Sequence, residues 1–265
     1  MELLMFLPSE RDSDMEKDEL FTKRIQELAS VADRKGCVTF TDFLDLNEQN
    51  ILHQTLQKFS WIQGETFGGY KGAERIMASF IPEILYQEEW QYPISCVRIK
   101  PLNLKFAEKL SHRDILGALM HLGIERSKMG DIAVGEEESW LFCCTSMAET
   151  ICSELTRIRH TSVFCEICDP DDFTYEPETK LIRGSVASVR LDALMAAAFQ
   201  SSRSSLLSMI EAGKVFVNGR LITTNAYQPK EQDIISVRGL GKFRFSGASG
   251  QTKKGRCIVE IEKYI

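Results

Sequence analysis

No run of apolar residues in this 265-residue chain approaches the roughly 20 that a membrane-spanning helix needs. Residues 1–7 are apolar apart from Glu2, but they lack the basic flank of a secretory signal. The expectation is a cytoplasmic protein with no membrane partner, whose first fourteen residues fray ahead of Met15. Histidine is scarce, at 4 residues, and His112 and His121 stand about half a turn out of phase on one predicted helix, so they form no metal pair. The 8 cysteines contain one close pair, Cys165-Glu-Ile-Cys168, and no second pair to complete a zinc site. On a strand, residues three apart point to opposite faces, and free thiols in a reducing compartment behave as small apolar side chains. The chain also lacks the Gly-x-Gly-x-x-Gly loop of dinucleotide sites. Gly68-Gly69-Tyr70-Lys71-Gly72 is followed by no Gly-Lys-Ser or Gly-Lys-Thr, so it reads as a hairpin turn. No cofactor, no metal and no catalytic group are expected.

What is present is unevenly distributed. From Arg183 to Ile265 there are 13 Lys plus Arg against 6 Asp plus Glu, a net of +7, whereas the preceding 182 residues hold 19 against 32, a net of -13. A basic C-terminal part attached to an acidic body is the charge pattern of a polyanion-binding module.

Periodicity divides the acidic body. Leu20, Phe21, Ile25, Leu28 and Ala32 recur at three- and four-residue steps and predict a helix over 17–32, stopped by Gly36. A second helix is predicted over 48–59 with Asn47 as its N-cap, then two strands over 61–67 and 75–81. Together these give an N-terminal α/β domain over residues 1–90. Beyond Pro93 the predicted order is strand 94–100, a helix capped by Ser111 through Leu122, strands 131–134 and 139–145, helix 148–160 and strand 162–168. That β-α-β-β-α-β order is a ferredoxin-like, RRM-like plait over 91–170, a fold shared by RNA-binding and unrelated proteins. Trp140 and Phe142 share a strand face, which suits a core better than a base-stacking platform, and the Gly-flanked aromatic signature of RNA recognition is missing. Residues 170–180 form a polar, acidic, proline-containing linker.

The C-terminal domain, read as 183–265, carries the chemistry. Leu191, Leu194, Met195 and Ala198 make one buried helical stripe behind Arg190, and a second helix is capped by Ser202, with Arg203 in its first turn and Gly213 as its stop. Asn218-Gly219 is a strong hairpin turn, and a strand over 233–238 leads to a basic Gly239-Leu-Gly-Lys-Phe-Arg244 segment. A last hairpin is predicted around a glycine-rich loop, 247–255, containing Lys253 and Lys254. A helix start offers amides and a partial positive charge to phosphate, and Arg190, Arg203 and Lys214 add full charges. Asp192 reads as a local structural partner for an arginine or an N-terminal amide. The candidate RNA-binding residues are Arg190, Ser202, Arg203, Lys214, Asn218, Arg238, Lys242, Lys253 and Lys254.

Over about 185–245 this pattern resembles the S-four-type, or alpha-L, RNA-binding domain: paired helices, Ser202-Arg203, the Gly213-Lys214-Val-x-Val217-Asn218-Gly219 run and Ser236-Val237-Arg238-Gly239 occur in order. Gln232-Asp233 departs from the Gly-Asp common in such domains. Upstream, Phe67-Gly-Gly-Tyr-Lys-Gly-Ala-Glu-Arg75, Leu110-Ser-His-Arg-Asp-Ile-Leu-Gly117, Leu122-Gly-Ile-Glu-Arg126 and Gly130-Asp-Ile132 resemble the bacterial YlmH family over nearly the whole chain. The resemblance implies an α+β, multidomain, non-enzymatic factor that binds rRNA of the large ribosomal subunit, with peptidyl-tRNA as a further candidate partner, and acts in translation or rescue of stalled nascent chains. The alternative is a targeting subunit or enzyme of rRNA or tRNA modification, since domains of this type also occur in such enzymes. Arg190-Leu-Asp192 mimics a pseudouridine-synthase triplet, but it lies inside the RNA-binding helix.

Overall fold

The computed structural model describes residues 10–58, 63–86, 88–173 and 178–265, with side chains from Lys17 onward except that of Asp171. Readings that involve residues 1–9, Phe59, Trp61, Glu176 and Pro177 lie outside the described residues. The chain forms two compact units, 1–175 and 176–265. No described helix is long and apolar enough to cross a membrane.

In the first unit, α1 (Glu10–Lys35) begins well before the predicted Lys17, and Gly36 ends it in the left-handed region at φ 60°. Ile25, Ala29 and Ala32 are its buried stripe, whereas Leu20, predicted to be buried, is 58% exposed. After β1 (Thr39–Phe40) comes α2 (Leu46–Leu56), whose N-cap is Asp45 rather than Asn47. The reason is a closed capping box: Asp45 Oδ1 accepts the amides of Asn47 and Glu48 at 2.8 and 2.9 Å, and Glu48 Oε2 accepts the Asp45 amide at 2.8 Å. Strands β2 (Gln63–Phe67) and β3 (Met77–Ile81) form the predicted hairpin in an antiparallel sheet ordered β1-β3-β2. Every residue of β3 is buried. Ala78 and Phe80 pack with α1 and α2, while Met77 on the other face packs with the plait.

The plait comprises β4 (Ile94–Pro101), α3 (His112–His121), β5 (Met129–Val134), β6 (Ser139–Cys144), α4 (Thr145–Glu154), β7 (Arg157–Ile158) and β8 (Thr161–Cys168), in an antiparallel sheet ordered β5-β6-β4-β8-β7. Its helix-side core includes Val97, Ile99, Ile115, Leu119, Leu141 and Ile151. The helix predicted over 148–160 stops at Glu154. Arg157 pairs with Ser162 and Ile158 with Thr161, and the chain reverses through Arg159, a non-glycine residue at φ 54°. Cys165 lies in the helix-side core, while Cys168 lies on the opposite face and donates its Sγ–H to the Cys96 carbonyl at 3.4 Å.

The sheet face that carries Trp140 and Phe142 is closed. The two rings are 3% and 0% exposed and share a cluster with Phe43, Met77, Cys96, Ala133 and Cys144. Tyr70 stacks on Phe142 at 5.0 Å between centroids, and Phe173 meets both Trp140 and Phe142 edge-on. The segments read from sequence as separate first and middle domains therefore share a core in one unit.

Three of the four upstream segments that resemble the YlmH family, 67–75, 122–126 and 130–132, converge on this junction. Asp131 accepts from the Tyr70 hydroxyl at 2.7 Å and from the amides of Glu74 and Arg75 at 2.7 and 3.0 Å. Arg75 donates to the carbonyls of Met129, Phe43 and Arg126, and Arg126 to those of Met129 and Gly130. Burial lowers both guanidinium pKa values, that of Arg126 to about 10 with Arg75 adding repulsion. Gly69 sits at φ 97° where a Cβ would stand 2.2 Å from the Phe142 ring, so only glycine fits that turn.

The second unit is a six-stranded antiparallel sheet ordered β11-β10-β12-β13-β14-β9. Its elements are β9 (Thr179–Val186), α5 (Leu191–Phe199), α6 (Arg203–Glu211), β10 (Val215–Val217), β11 (Arg220–Leu221), β12 (Ile234–Val237), β13 (Gly241–Gln251) and β14 (Cys257–Tyr264). Both helices contribute to the core over one sheet face, where Leu191, Leu194, Met195, Leu206 and Ile210 meet Val215, Val217, Ile235, Val237, Phe243 and Ile261. Two features differ from the sequence reading. The end of the supposed linker is strand β9, paired with β14 from Thr179↔Tyr264 to Val186↔Cys257. Most of the supposed glycine-rich loop belongs to β13, because register shifts between Phe245 and Gly247 and between Ala248 and Gly250 absorb the glycines, leaving only 252–256 as the turn.

Candidate nucleic-acid interface

The start of α5 is less open than its sequence suggests. Arg190 takes the N-cap position, and its Nε donates to Asp192 Oδ1 at 3.1 Å, so of the two roles read for Asp192 the structure shows the arginine partner. The Leu191 amide is consumed by the Tyr227 carbonyl at 2.9 Å. Little of the helix start is left for phosphate, although Arg190 keeps part of its side chain in solvent.

The start of α6 is different. Ser202 caps it, its Oγ accepting the Ser205 amide at 3.3 Å. Arg203 is exposed, and no described carbonyl or side chain takes the amides of Arg203 and Ser204 or pairs with the Arg203 guanidinium. Exposed amides, a serine hydroxyl and an unpaired cation at a helix N-terminus are the elements of a phosphate contact.

Gly213, at φ 68°, ends α6 and turns the chain into β10, with the Lys214 amide donating to Met209 O at 3.0 Å. The Lys214 carbonyl then accepts the Arg238 amide at 2.9 Å, which seats these two exposed cations side by side at one end of the β10–β12 pair. Lys242 follows in the adjoining hairpin, opposite Ser236. Arg238 lies over the Phe216 ring at 5.1 Å and Lys242 over Tyr264 at 4.9 Å, cation–π contacts that orient the two side chains. The sequence pattern contained a signal for Phe216: between Val215 and Val217, which enter the helix-side core, period-two alternation puts it on the opposite face, where it is 1% exposed. Elsewhere on that face charge is matched, with Arg183 on Glu260 at 2.9 Å and Arg244 on Glu262.

Asn218 is a structural residue. It occupies φ 48° ahead of Gly219 at 76°, the pair of left-handed residues a two-residue hairpin turn requires. Its Nδ2 donates to Asp233 Oδ1 at 2.8 Å and its Oδ1 accepts the Ile234 amide at 2.9 Å. Both ends of its amide are engaged, which gives it a structural role in the turn.

Lys253 and Lys254 are exposed in the turn that joins β13 to β14. Lys242 lies at the other end of β13, roughly 30 Å away at ordinary strand rise. The predicted residues thus fall into two basic patches, Lys214–Arg238–Lys242 and Lys253–Lys254, with Ser202–Arg203 at a separate helix start.

Helices packed on a basic sheet, with cations held at the sheet's end and a helix start left open, define an RNA-binding protein of the S4 type. Residues 189–235 match the family model "S4 domain", and residues 87–172 match the model "Putative RNA-binding domain in YlmH". The chain is 32% identical over 253 residues to "Ribosome-associated protein quality control protein P2" of Bacillus subtilis (strain 168), covering 93% of this chain and 96% of that protein. It belongs to the YlmH family. A solved structure, "Cell division protein ylmH from Streptococcus pneumoniae", matches 57% of this chain and 91% of its own at 24% identity, with a TM-score of 0.48.

Proposed function

We propose that this protein is a non-enzymatic, cytoplasmic, ribosome-associated factor that grips rRNA of the large subunit through its C-terminal unit and acts in the rescue of stalled nascent chains, with peptidyl-tRNA as its second RNA partner. The observation that carries this reading is the near-full-length similarity to a Bacillus subtilis protein named for ribosome-associated quality control. It is supported by the unpaired cations at the α6 start and at the Lys214–Arg238 sheet end. The groups gathered there are cations, serine hydroxyls and backbone amides, which suit holding a sugar–phosphate backbone.

The test is co-sedimentation with purified 50S particles. Changing Arg203, Lys214 and Arg238 together to Ala should abolish it, and retained binding by a folded triple variant would rule this surface out. With about five phosphates engaged, the log–log salt slope of binding is about -3.5 on the single-strand estimate. Modification mapping of rRNA and tRNA from cells lacking the protein should find every modification in place; one missing position would favour an RNA-modifying role.

A further inference from the structure

The plait's sheet face cannot stack bases, because Trp140 and Phe142 are sealed beneath Phe43, Met77 and Tyr70. Any RNA contact made by this half of the chain has to lie elsewhere. On the helix side, a cleft of about 430 Å³ runs between α3 and the β7–β8 turn. One wall is the α3 row Asp114, Gly117, Ala118 and His121, and the rim carries Arg113, Arg157 and Arg159.

Three observations bear on what the cleft takes. Arg113 and Arg157 are exposed and make no side-chain hydrogen bond or ion pair among the described residues. Arg159 is held in place from both sides, by Glu108 at 3.4 Å and Asp114 at 3.5 Å, on a left-handed backbone that a non-glycine residue adopts only under constraint. Gly117 stands in the middle of α3, where glycine weakens a helix, and a Cβ built there meets nothing within 4 Å. Packing therefore gives no reason for glycine, whereas close approach of a ligand backbone to the helix does. The acids are spent on Arg159 and leave Arg113 and Arg157 without an ion pair among the described residues. Asp114 is engaged by the Ser111 amide and hydroxyl, at 2.9 and 2.6 Å, as well as by Arg159, which leaves Glu154 as the one other carboxylate on the rim.

We propose that this cleft is a second RNA contact, in which a sugar–phosphate strand lies against the bare Gly117 surface of α3 with its phosphates on Arg113 and Arg157. The proposal rests on the RNA-binding reading of the whole chain and adds to it a surface on the first unit.

The experiment measures retention of purified 23S rRNA by the full-length protein on filters across a salt series, with a thermal melt of each variant alongside. Arg113→Gln with Arg157→Gln removes two phosphate contacts, so the slope should become shallower by about 1.4 to 1.8. Gly117→Gln supplies a better helix former and should raise the melting midpoint by about 2 to 4 °C. The same side chain fills the cleft and should weaken RNA retention about tenfold, a loss of binding in a more stable protein that a purely structural glycine would not produce. Wild-type slope and affinity in both variants overturn the cleft while leaving the C-terminal interface intact. A wild-type protein that retains no RNA overturns the RNA-binding reading, and the cleft with it.

Discussion

Asn218 and Asp233 hold the two-residue turn of the C-terminal sheet by a 2.8 Å bond from amide to carboxylate, and the other Asp233 oxygen accepts the Lys230 amide at 2.8 Å. Asn218→Ala removes two hydrogen bonds at a left-handed position and should destabilise the unit by about 2 to 4 kcal/mol. Asn218→Gly, which tolerates that backbone, should cost about half as much. Urea denaturation measures both, and RNA affinity per folded molecule should stay at the wild-type value. Lower affinity in a fully folded Asn218→Gly protein would place Asn218 in the RNA-contact set.

Gln232, a non-glycine residue, takes φ 70°, in the left-handed region. Relief of left-handed strain, worth about 1 to 2 kcal/mol, exceeds glycine's entropic cost of about 0.5 to 1 kcal/mol. Gln232→Gly should therefore raise the urea midpoint by the equivalent of about 0.5 to 1 kcal/mol, with no change in slope.

Asp131 is the hub of the first unit. Asp131→Ala removes the acceptor shared by the Tyr70 hydroxyl and the amides of Glu74 and Arg75, and should cost about 3 kcal/mol, whereas Tyr70→Phe removes one bond and should cost about 1 kcal/mol. Equal costs in thermal melts would show that the carboxylate is not the centre of this network.

The two basic patches lie far enough apart to act independently. Lys214→Ala with Arg238→Ala, and Lys253→Ala with Lys254→Ala, should weaken 50S binding by free energies that add within about 0.5 kcal/mol when combined. A larger departure would mean that one RNA element bridges both patches.

Burial pushes the thiols of Cys143 and Cys165 up to about 12 and that of Cys96 higher still, so at pH 8 all three are neutral as well as enclosed. Raising the pH to 9 leaves them neutral. Cys37 is exposed and should be alkylated first by iodoacetamide in the native protein, with Cys96, Cys143 and Cys165 reacting only on unfolding. Peptide mass mapping at both pH values checks the order.

The sequence by itself determined what local physics dictates. Helix periodicity with serine caps at Ser111 and Ser202, the Asn218-Gly219 turn, the plait's strand order and the concentration of positive charge after Arg183 all depend on neighbours along the chain. Most of the candidate site was legible for the same reason, since Ser202-Arg203 and Gly213-Lys214 are local signals. Tertiary structure decided the rest. Only strand pairing shows that residues 179–186 belong to the C-terminal sheet, that Lys253 and Lys254 stand a strand's length from Lys242, and that Lys214 sits beside Arg238. Partners distant in sequence used both ends of the Asn218 amide, and the hairpin that returns through Arg159 cut short a helix that periodicity alone would have continued. The largest decision was the cover over Trp140 and Phe142: alternation in the strand puts both rings on one face, but whether that face meets solvent depends on Phe43, Met77 and Tyr70, residues about 60 to 100 positions away.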